Sequence, residues 1–175
     1  MTFYHKVLAE FERKTFKVVS IDIFDTLLFR LVNQPKQIFD EVGKKAIGSH
    51  LLHNSITSEE FSLLRIWAEQ EAVKSQKEKN GHKEVTLAQI YEFLPQFIGY
   101  RTQLHAMEVI TECEFCYLNP EILKLIEDYK SQGLPVVLTS DMYLNKEQLK
   151  QILKFNGFDL SLIKEIYVSC EHKGD

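Results

Sequence analysis

The chain has 175 residues, of which 45% are hydrophobic and 26% are charged. This balance is typical of a globular protein with one domain, or with one domain that carries a large insertion. The 21 Lys and Arg residues against 25 Asp and Glu residues give a net charge of −4, which excludes the strongly basic surface that attracts nucleic acid. No stretch approaches the ~20 apolar residues of a membrane span, and the N-terminus lacks the apolar segment of a secretory signal. Three cysteines do not form a secreted disulfide framework, so we expect a cytoplasmic protein.

The predicted elements begin with a short amphipathic helix near the N-terminus, in which apolar residues recur at helical spacing. These residues are Phe3, Val7, Leu8 and Phe11. The period then changes, and residues 17–22 form a β-rich run that ends in a carboxylate, which is typical of a buried parallel strand. A long, mostly helical stretch follows, with predicted helix starts at Pro35, Thr57 and Thr86. Residues 107–118 fit either a strand or a helix.

The rest of the chain predicts helices that alternate with strands. A helix that begins at Asn119 precedes a buried strand over residues 134–141, and a helix that begins at Asn145 precedes a third strand over residues 166–169. This order predicts an α/β fold, in which a Rossmann-like parallel sheet of three strands has right-handed crossovers. The long helical stretch would be a cap inserted after the first strand.

Polar side chains gather where the three predicted strands end, which is where open parallel sheets place their functional groups. These are Asp22 and Asp25 after the first strand, Ser140 and Asp141 after the second, and Ser169 and Lys173 after the third. A carboxylate, a hydroxyl and an ammonium on neighbouring strand ends suit phosphoryl or acyl-like transfer. The carboxylate can attack, the hydroxyl can donate to a phosphate oxygen, and the ammonium can offset its charge.

Two of these segments resemble motifs of the haloacid dehalogenase (HAD) superfamily. Residues 18–27 read VVSIDIFDTL, and they resemble its first motif, a hydrophobic strand with a nucleophilic Asp followed by Thr-Leu. Residues 136–141 read VVLTSD, and they resemble its second motif, a strand that ends in a phosphate-binding Ser or Thr. The segments IDIFDTLL and SDMYL together are similar to a bacterial subgroup linked to surface-polysaccharide gene clusters. The resemblance spans most of the chain and implies a HAD-like core over residues 1–32 and 118–175, with a helical cap over residues 33–117.

The resemblance implies a role for each matching residue. Asp22 would be the nucleophile that forms an aspartyl-phosphate, and it would ligate Mg²⁺ together with the backbone carbonyl of Phe24. Ser140 would bind the transferring phosphate. Lys173 would be the catalytic lysine of the third motif, although that lysine could equally lie just past Asp175.

The expected substrate is a small phosphorylated metabolite or a sugar phosphate, over which the cap would close as a lid. We assign Thr26 and Asp141 to the substrate site together with Ser140. Arg65 in the cap is a further candidate, because it could face the site and contact an anionic substrate.

The sequence departs from the family pattern immediately after the nucleophile. Family phosphatases place a second Asp two residues after the nucleophile as general acid and base, and this chain has Phe24 there. Loss of a general acid typically lowers the rate by ~10²–10⁴-fold. Asp25, one residue further on, is the alternative catalytic carboxylate. The departure leaves two hypotheses open, namely a hydrolase with altered chemistry and a weak or inactive HAD-like module that binds a phosphorylated ligand or a partner protein.

A second departure concerns the fourth motif, whose acidic metal ligands should follow on a further strand. No strand that could carry them follows residue 169. We therefore expect a truncated piece of a longer polypeptide with further domains, weak Mg²⁺ binding and little turnover. The first strand would then present an unpaired edge, through which the chain could form oligomers.

The CxxC pair and the single tryptophan are expected to be structural and to have no role in the site. Cys113 and Cys116 have CxxC spacing, but a zinc site usually needs two such pairs, and we expect unreactive cysteines. Trp67 is expected in the core of the cap.

Overall fold

A computed structural model describes Val7 and residues 17–171 of the protein. Apart from Val7, the predicted N-terminal helix lies outside the described residues, as do Lys173 and Asp175. The strands are β1 (Val19–Asp22), β2 (Leu28–Arg30), β3 (Cys116–Leu118), β4 (Val136–Ser140) and β5 (Glu165–Val168). The helices longer than one turn of 3₁₀ are α1 (Gln37–Gly48), α2 (Ser58–Asn80), α3 (Leu87–Glu92), α4 (Arg101–Phe115), α5 (Pro120–Ser131) and α6 (Lys146–Phe155).

The main sheet is parallel and has the strand order β1-β4-β5. Val19 pairs with Val136 and Asp22 with Thr139, while Ser140 pairs with Val168 of β5. The prediction of an α/β fold with three parallel strands is therefore confirmed. Because all three strands run in the same direction, their carboxyl ends meet at one edge of the sheet. Within the described residues, β1 is an edge strand.

A second, two-stranded antiparallel sheet joins the insert to the rest of the chain. Leu28 of β2 pairs with Leu118 of β3, and Arg30 pairs with Cys116. Helices α1 to α4 lie between these two strands in the sequence. The sequence did not predict this pair, because strands of three residues are too short to show a period. Residues 107–118, which fitted either structure, are helical to Phe115 and then form β3.

The helix starts follow from side-chain caps that the sequence shows. Thr57 and Thr86 each accept a hydrogen bond from the backbone amide three residues further on. The side chains of Glu60 and Gln89 in turn accept a hydrogen bond from the backbone amides of Thr57 and Thr86, which completes two capping boxes. Asn145 begins α6 in the same way. In the described part of the chain, no helix combines the length and apolar character needed to cross a membrane.

The expectation that Trp67 lies in the core of the cap is wrong. Its side chain is 45% exposed, whereas Arg65 is fully buried. The buried face of α2 carries Phe61, Arg65, Ala68 and Ala72, which recur at helical spacing. Trp67 follows Arg65 by two positions, about 200° around the helix, so it faces away from this stripe.

Candidate functional site

The chain turns sharply directly after β1. The Ile23 carbonyl accepts hydrogen bonds from the Leu27 and Leu28 amides at 2.9 and 2.7 Å, and the Asp25 amide donates to the Leu28 carbonyl at 2.9 Å. Asp25 adopts a left-handed conformation with φ of 56°, which Asp tolerates better than most residues. Ile23 and Leu27 are fully buried, while Asp22 and Asp25 are exposed. The turn is therefore held in the core by Ile23 and Leu27, and the carboxylates of Asp22 and Asp25 lie at the surface.

The neighbouring strand β4 brings Ser140 to the same edge of the sheet. Ser140 is 6% exposed, and its Oγ accepts a hydrogen bond from the Met142 amide at 3.3 Å. Asp141 follows it and is exposed. An open cleft of about 390 Å³ lies over the ends of the three strands. Its lining residues are Asp22, Thr139, Ser140, Asp141, Tyr167, Val168 and Ser169.

The electrostatics of the cleft centre on Asp22. Its pKa is raised, first by partial burial and then by the negative charges of Asp141 and Asp25. The backbone at Ile23 and the side chain of Thr26 act in the opposite direction, because polar hydrogens near the carboxylate favour its charged form. Asp22 therefore lies among like charges, whose effect on its pKa is partly offset by the backbone at Ile23 and the side chain of Thr26.

The structure brings together several of the residues that the sequence assigns to the site. Asp22, Ser140 and Asp141 line one cleft. Thr26 and Asp25 are each close enough to Asp22 to affect its pKa. Lys173 lies outside the described residues, and its predicted role stays a prediction.

Arg65 does not line this cleft. Its guanidinium is buried among the helices of the insert, where Nε and Nη2 donate to the two carboxylate oxygens of Glu108 at 2.8 Å. Nη1 donates to Glu69 at 2.9 Å, and the guanidinium carbon lies 4.4 Å from the centre of the Phe39 ring. These partners occupy the guanidinium on its edges and on a face, so we do not include Arg65 in the substrate site.

Phe24, in the position of the family's second Asp, is also absent from the cleft lining. Its side chain is 7% exposed and lies under Arg30, whose guanidinium carbon is 4.2 Å from the ring centre. An apolar ring in a cation–π contact thus stands where the family pattern has a carboxylate.

The oxygen donors at the cleft have the chemistry that Mg²⁺ prefers, although residues 17–171 contain no cluster of three His, Cys, Asp or Glu side chains that could hold a metal ion. The candidates are the carboxylates of Asp22 and Asp141, which line the cleft, and the backbone carbonyl of Phe24, which belongs to the turn after β1 and does not line the cleft. Proteins often bind Mg²⁺ through one or two carboxylates and leave the remaining positions to water and substrate phosphates. A cation there would also offset the charge repulsion that, after burial, is the next cause of the raised pKa of Asp22. These oxygen ligands are therefore of the type that a hard cation such as Mg²⁺ binds.

Sequence reasoning missed Glu84, in the segment between α2 and α3. Its carboxylate accepts a hydrogen bond from Ser169, one of the residues that line the cleft. No motif or period marks Glu84 in the sequence, because the contact depends on how the insert packs against the sheet.

Comparisons with known proteins place this architecture in a class. No protein-family model and no curated protein matches the sequence. Among solved structures, a putative beta-phosphoglucomutase from Thermotoga maritima matches with a TM-score of 0.52 and 14% identity, over 91% of this chain and 64% of that one. An L-2-haloacid dehalogenase matches with a TM-score of 0.51 and 14% identity, over 89% of this chain and 64% of that one. A predicted phosphoglycolate phosphatase from Haemophilus somnus matches with a TM-score of 0.50 and 18% identity, over 91% of this chain and 65% of that one.

These likenesses establish the fold, which is the α/β fold that the dehalogenase, the phosphatase and the phosphoglucomutase share. The chain spans slightly less than two thirds of the length of each of these structures.

Proposed function

We propose that the protein is a HAD-type hydrolase that removes a phosphoryl group from a small phosphorylated metabolite or sugar phosphate. The observation that carries the proposal is the shared cleft of Asp22 and Ser140, at the ends of two adjacent parallel strands. The fold likeness to dehalogenases and phosphatases supports it. The bacterial polysaccharide subgroup remains a resemblance of the motifs at residues 21–28 and 140–144.

In this proposal Asp22 is the nucleophile. One of its carboxylate oxygens forms a bond to phosphorus while the bond from phosphorus to the leaving oxygen breaks. Water then attacks the aspartyl-phosphate and releases phosphate, which regenerates the Asp22 carboxylate. Ser140 would donate a hydrogen bond from its hydroxyl to a non-bridging phosphate oxygen, and Thr26 would help to orient the nucleophile. Mg²⁺, bound by Asp22 with the Phe24 carbonyl, would neutralise phosphate charge when present.

The leaving oxygen needs a proton, and position 24 cannot supply it because a buried Phe stands there. Asp25 is the nearest alternative in the sequence, one residue further along the same turn. Its side chain is exposed, and its charge is close enough to Asp22 to affect the pKa of that residue. We assign the general acid role to Asp25 within this proposal.

The second candidate function is a weak or inactive HAD-like module that binds a phosphorylated ligand or a partner protein. The packing of Phe24 against Arg30 favours it, because this contact commits position 24 to structure rather than to proton transfer.

The deciding experiment is a panel of phosphate monoesters assayed with and without Mg²⁺. The proteins compared are wild type, Asp22→Asn and Glu127→Gln. Glu127→Gln is the matched control, because it also removes one carboxylate charge but lies on the exposed face of α5. The hydrolase proposal expects turnover in wild type and Glu127→Gln and a loss of at least about 10³-fold in Asp22→Asn. Equal turnover by wild type and Asp22→Asn would show that Asp22 is not the nucleophile.

Phe24→Asp separates the two candidate functions. A gain in phosphatase activity would mean that the site is otherwise intact and lacks only its acid. Binding of phosphate or vanadate without turnover, in wild type and in Phe24→Asp alike, favours the binding module.

A further inference from the structure

The loop that follows Asp22 is tied to the cap by a buried ion pair. Arg30, the last residue of β2, donates from Nε and Nη2 to the two carboxylate oxygens of Glu112 in α4, each at 2.9 Å. The two side chains are 5% and 1% exposed. The same guanidinium covers the Phe24 ring at 4.2 Å. Arg30 therefore connects the residue two positions after Asp22 with a helix of the cap.

The loop that follows Ser140 is tied to the cap by a second set of contacts. The Tyr143 ring centre lies 4.8 Å from the guanidinium carbon of Arg65, which Glu108 holds in a bidentate pair. The Tyr143 carbonyl accepts a hydrogen bond of 2.7 Å from the amide of Leu87, the first residue of α3. Ring and carbonyl thus attach this loop to the cap at two points.

The two sets of contacts form one buried group. Glu108 and Glu112 are one helical turn apart on α4, and both are almost completely buried. Tyr143 interacts electrostatically with Glu108 and Glu112. We call these six side chains the junction network: Phe24, Arg30, Arg65, Glu108, Glu112 and Tyr143.

We propose that the junction network positions the two loops of the cleft, so that the cap sets the geometry of the turn after Asp22 and of the loop after Ser140. Its members are positioning residues, since they act through Phe24 and Tyr143 and do not line the cleft themselves. The catalytic consequence rests on the proposed function, whereas the positioning itself does not.

Physical chemistry supports a positioning role over a purely stabilising one. A buried ion pair recovers little net free energy, because both charges lose their hydration. Two bidentate forks, however, fix the orientation of each guanidinium, and a planar cation over an aromatic ring fixes that ring in turn. Few other arrangements of these side chains would pair every buried charge, so the network favours one geometry.

The first test removes one pair without leaving an unpaired charge, in the double variant Arg30→Met/Glu112→Leu. Paired apolar replacements of buried ion pairs are often neutral in stability. We expect hydrogen exchange of the Asp25, Leu27 and Leu28 amides, which close the turn after Asp22, to accelerate at least about tenfold. Amides in β4 and β5 should keep their protection, because those strands lie outside the network.

The second test addresses the other loop with Tyr143→Leu. We expect faster exchange of the Met142 and Leu87 amides, whose acceptors are the Ser140 hydroxyl and the Tyr143 carbonyl. The turn after Asp22 should change less, so each variant loosens its own loop. Arg30→Lys keeps the charge but loses the fork, and it should show part of the effect of the double variant. If the double variant does not fold, hydrogen exchange in Arg30→Lys tests the proposal instead.

The matched control removes an exposed ion pair of α6, in Lys150→Gln/Glu147→Gln. It should leave exchange at all of these amides unchanged. Unchanged exchange after Asp22 in a folded Arg30→Met/Glu112→Leu protein, or in Arg30→Lys, would overturn the proposal. If the hydrolase proposal holds, kcat should fall in the network variants with little change in KM. Turnover absent from every variant would count against the hydrolase alone, because hydrogen exchange still reports the positioning.

Discussion

Ser169 Oγ donates a hydrogen bond of 2.6 Å to Glu84 Oε2, which joins the end of β5 to the insert at the margin of the cleft. Hydrogen bonds to charged groups contribute about 1.5–3 kcal/mol when they are shielded from water. This bond is partly buried, so a value near the lower limit is expected. The contact therefore adds a cap-to-core restraint beside residues that line the cleft.

We predict that Glu84 and Ser169 are energetically coupled by about 1.5 kcal/mol. The measurement is a double-mutant cycle with Glu84→Ala and Ser169→Ala, using urea denaturation. Glu78→Ala, on an exposed position of α2, serves as the control partner and should show no coupling to Ser169. Additive effects of Glu84→Ala and Ser169→Ala would show that the bond does not form in solution.

The pKa of Asp22 should fall when Asp141 loses its charge. Burial is the largest cause of the raised pKa, and the charge of Asp141 is the next. Asp141→Asn removes the second cause and leaves the first, so the pKa of Asp22 should move toward its usual value without reaching it. Carbon-13 NMR titration of the carboxyl groups measures this, with Glu127→Gln as a control. An unchanged or higher pKa of Asp22 would contradict the electrostatic account of the cleft.

The sign of the associated pH effect follows from linkage. A carboxyl whose pKa is raised by folding binds its proton more tightly in the folded state, so its contribution to stability falls as pH rises from the unfolded pKa through the folded one. Asp22 therefore destabilises the fold at neutral pH relative to a neutral side chain. Asp22→Asn should raise the midpoint of thermal unfolding at pH 7 and have little effect at pH 3. A lower midpoint at pH 7 would refute the raised pKa.

The positions of the three parallel strands, with Asp22 and Ser140 at the ends of two of them, could be read from the sequence because each depends on a local pattern. Asp22 and Ser140 each end an apolar run, and parallel strands bring such ends together. Arg65 and Trp67 could not be placed this way, since hydropathy ranks Trp inside and Arg outside. The reverse holds here because Glu108, distant in the sequence, compensates the buried charge of Arg65. Contacts made across the fold, such as Glu84 with Ser169, leave no periodic trace.

Loss of Glu108 should destabilise the protein strongly. Its carboxylate is fully buried, accepts two bonds from Arg65 and a third from the Tyr91 hydroxyl at 2.7 Å. Glu108→Ala leaves a buried guanidinium without its main partner, and removal of one member of a buried pair typically costs about 3–5 kcal/mol. Glu78→Ala should change the free energy of unfolding by less than about 0.5 kcal/mol. A loss below about 1 kcal/mol in Glu108→Ala would mean that water reaches Arg65.

Two glycines of α1 provide a matched test of how closely α1 and α2 pack. A Cβ on Gly43 would lie 2.8 Å from the Cα of Ser58 in α2, whereas a Cβ on Gly48 would meet nothing within 4 Å. Gly43→Ala should therefore push the helices apart and cost about 1–3 kcal/mol. Gly48→Ala should be neutral or stabilise by up to about 0.5 kcal/mol, because alanine favours the helix. Equal effects in urea denaturation would show that the helices are further apart than described.

The CxxC pair should be chemically inert in the folded protein. Burial, followed by the charges of Glu112 and Glu114, raises the pKa of Cys113 to about 11, and burial and Glu112 also raise the pKa of Cys116. All three cysteines are free, and Cys170 is half-buried with a pKa of about 11. At pH 8, a thiol with such a pKa is ~0.1% thiolate, and the thiolate is the reactive form.

We therefore predict that a colorimetric disulfide reagent at pH 8 labels the native protein slowly, with Cys170 first because it is the least buried thiol. All three thiols should react rapidly in urea, where burial no longer suppresses the thiolate. Cys170→Ser isolates the CxxC pair and should remove the fastest native phase while leaving two thiols in urea. Rapid native labelling of Cys113 or Cys116, or a disulfide between them under mild oxidation, would instead indicate a redox role for the pair. The Glu112 carboxylate argues against that outcome, since it accepts from the Cys116 thiol at 3.6 Å and opposes its ionisation.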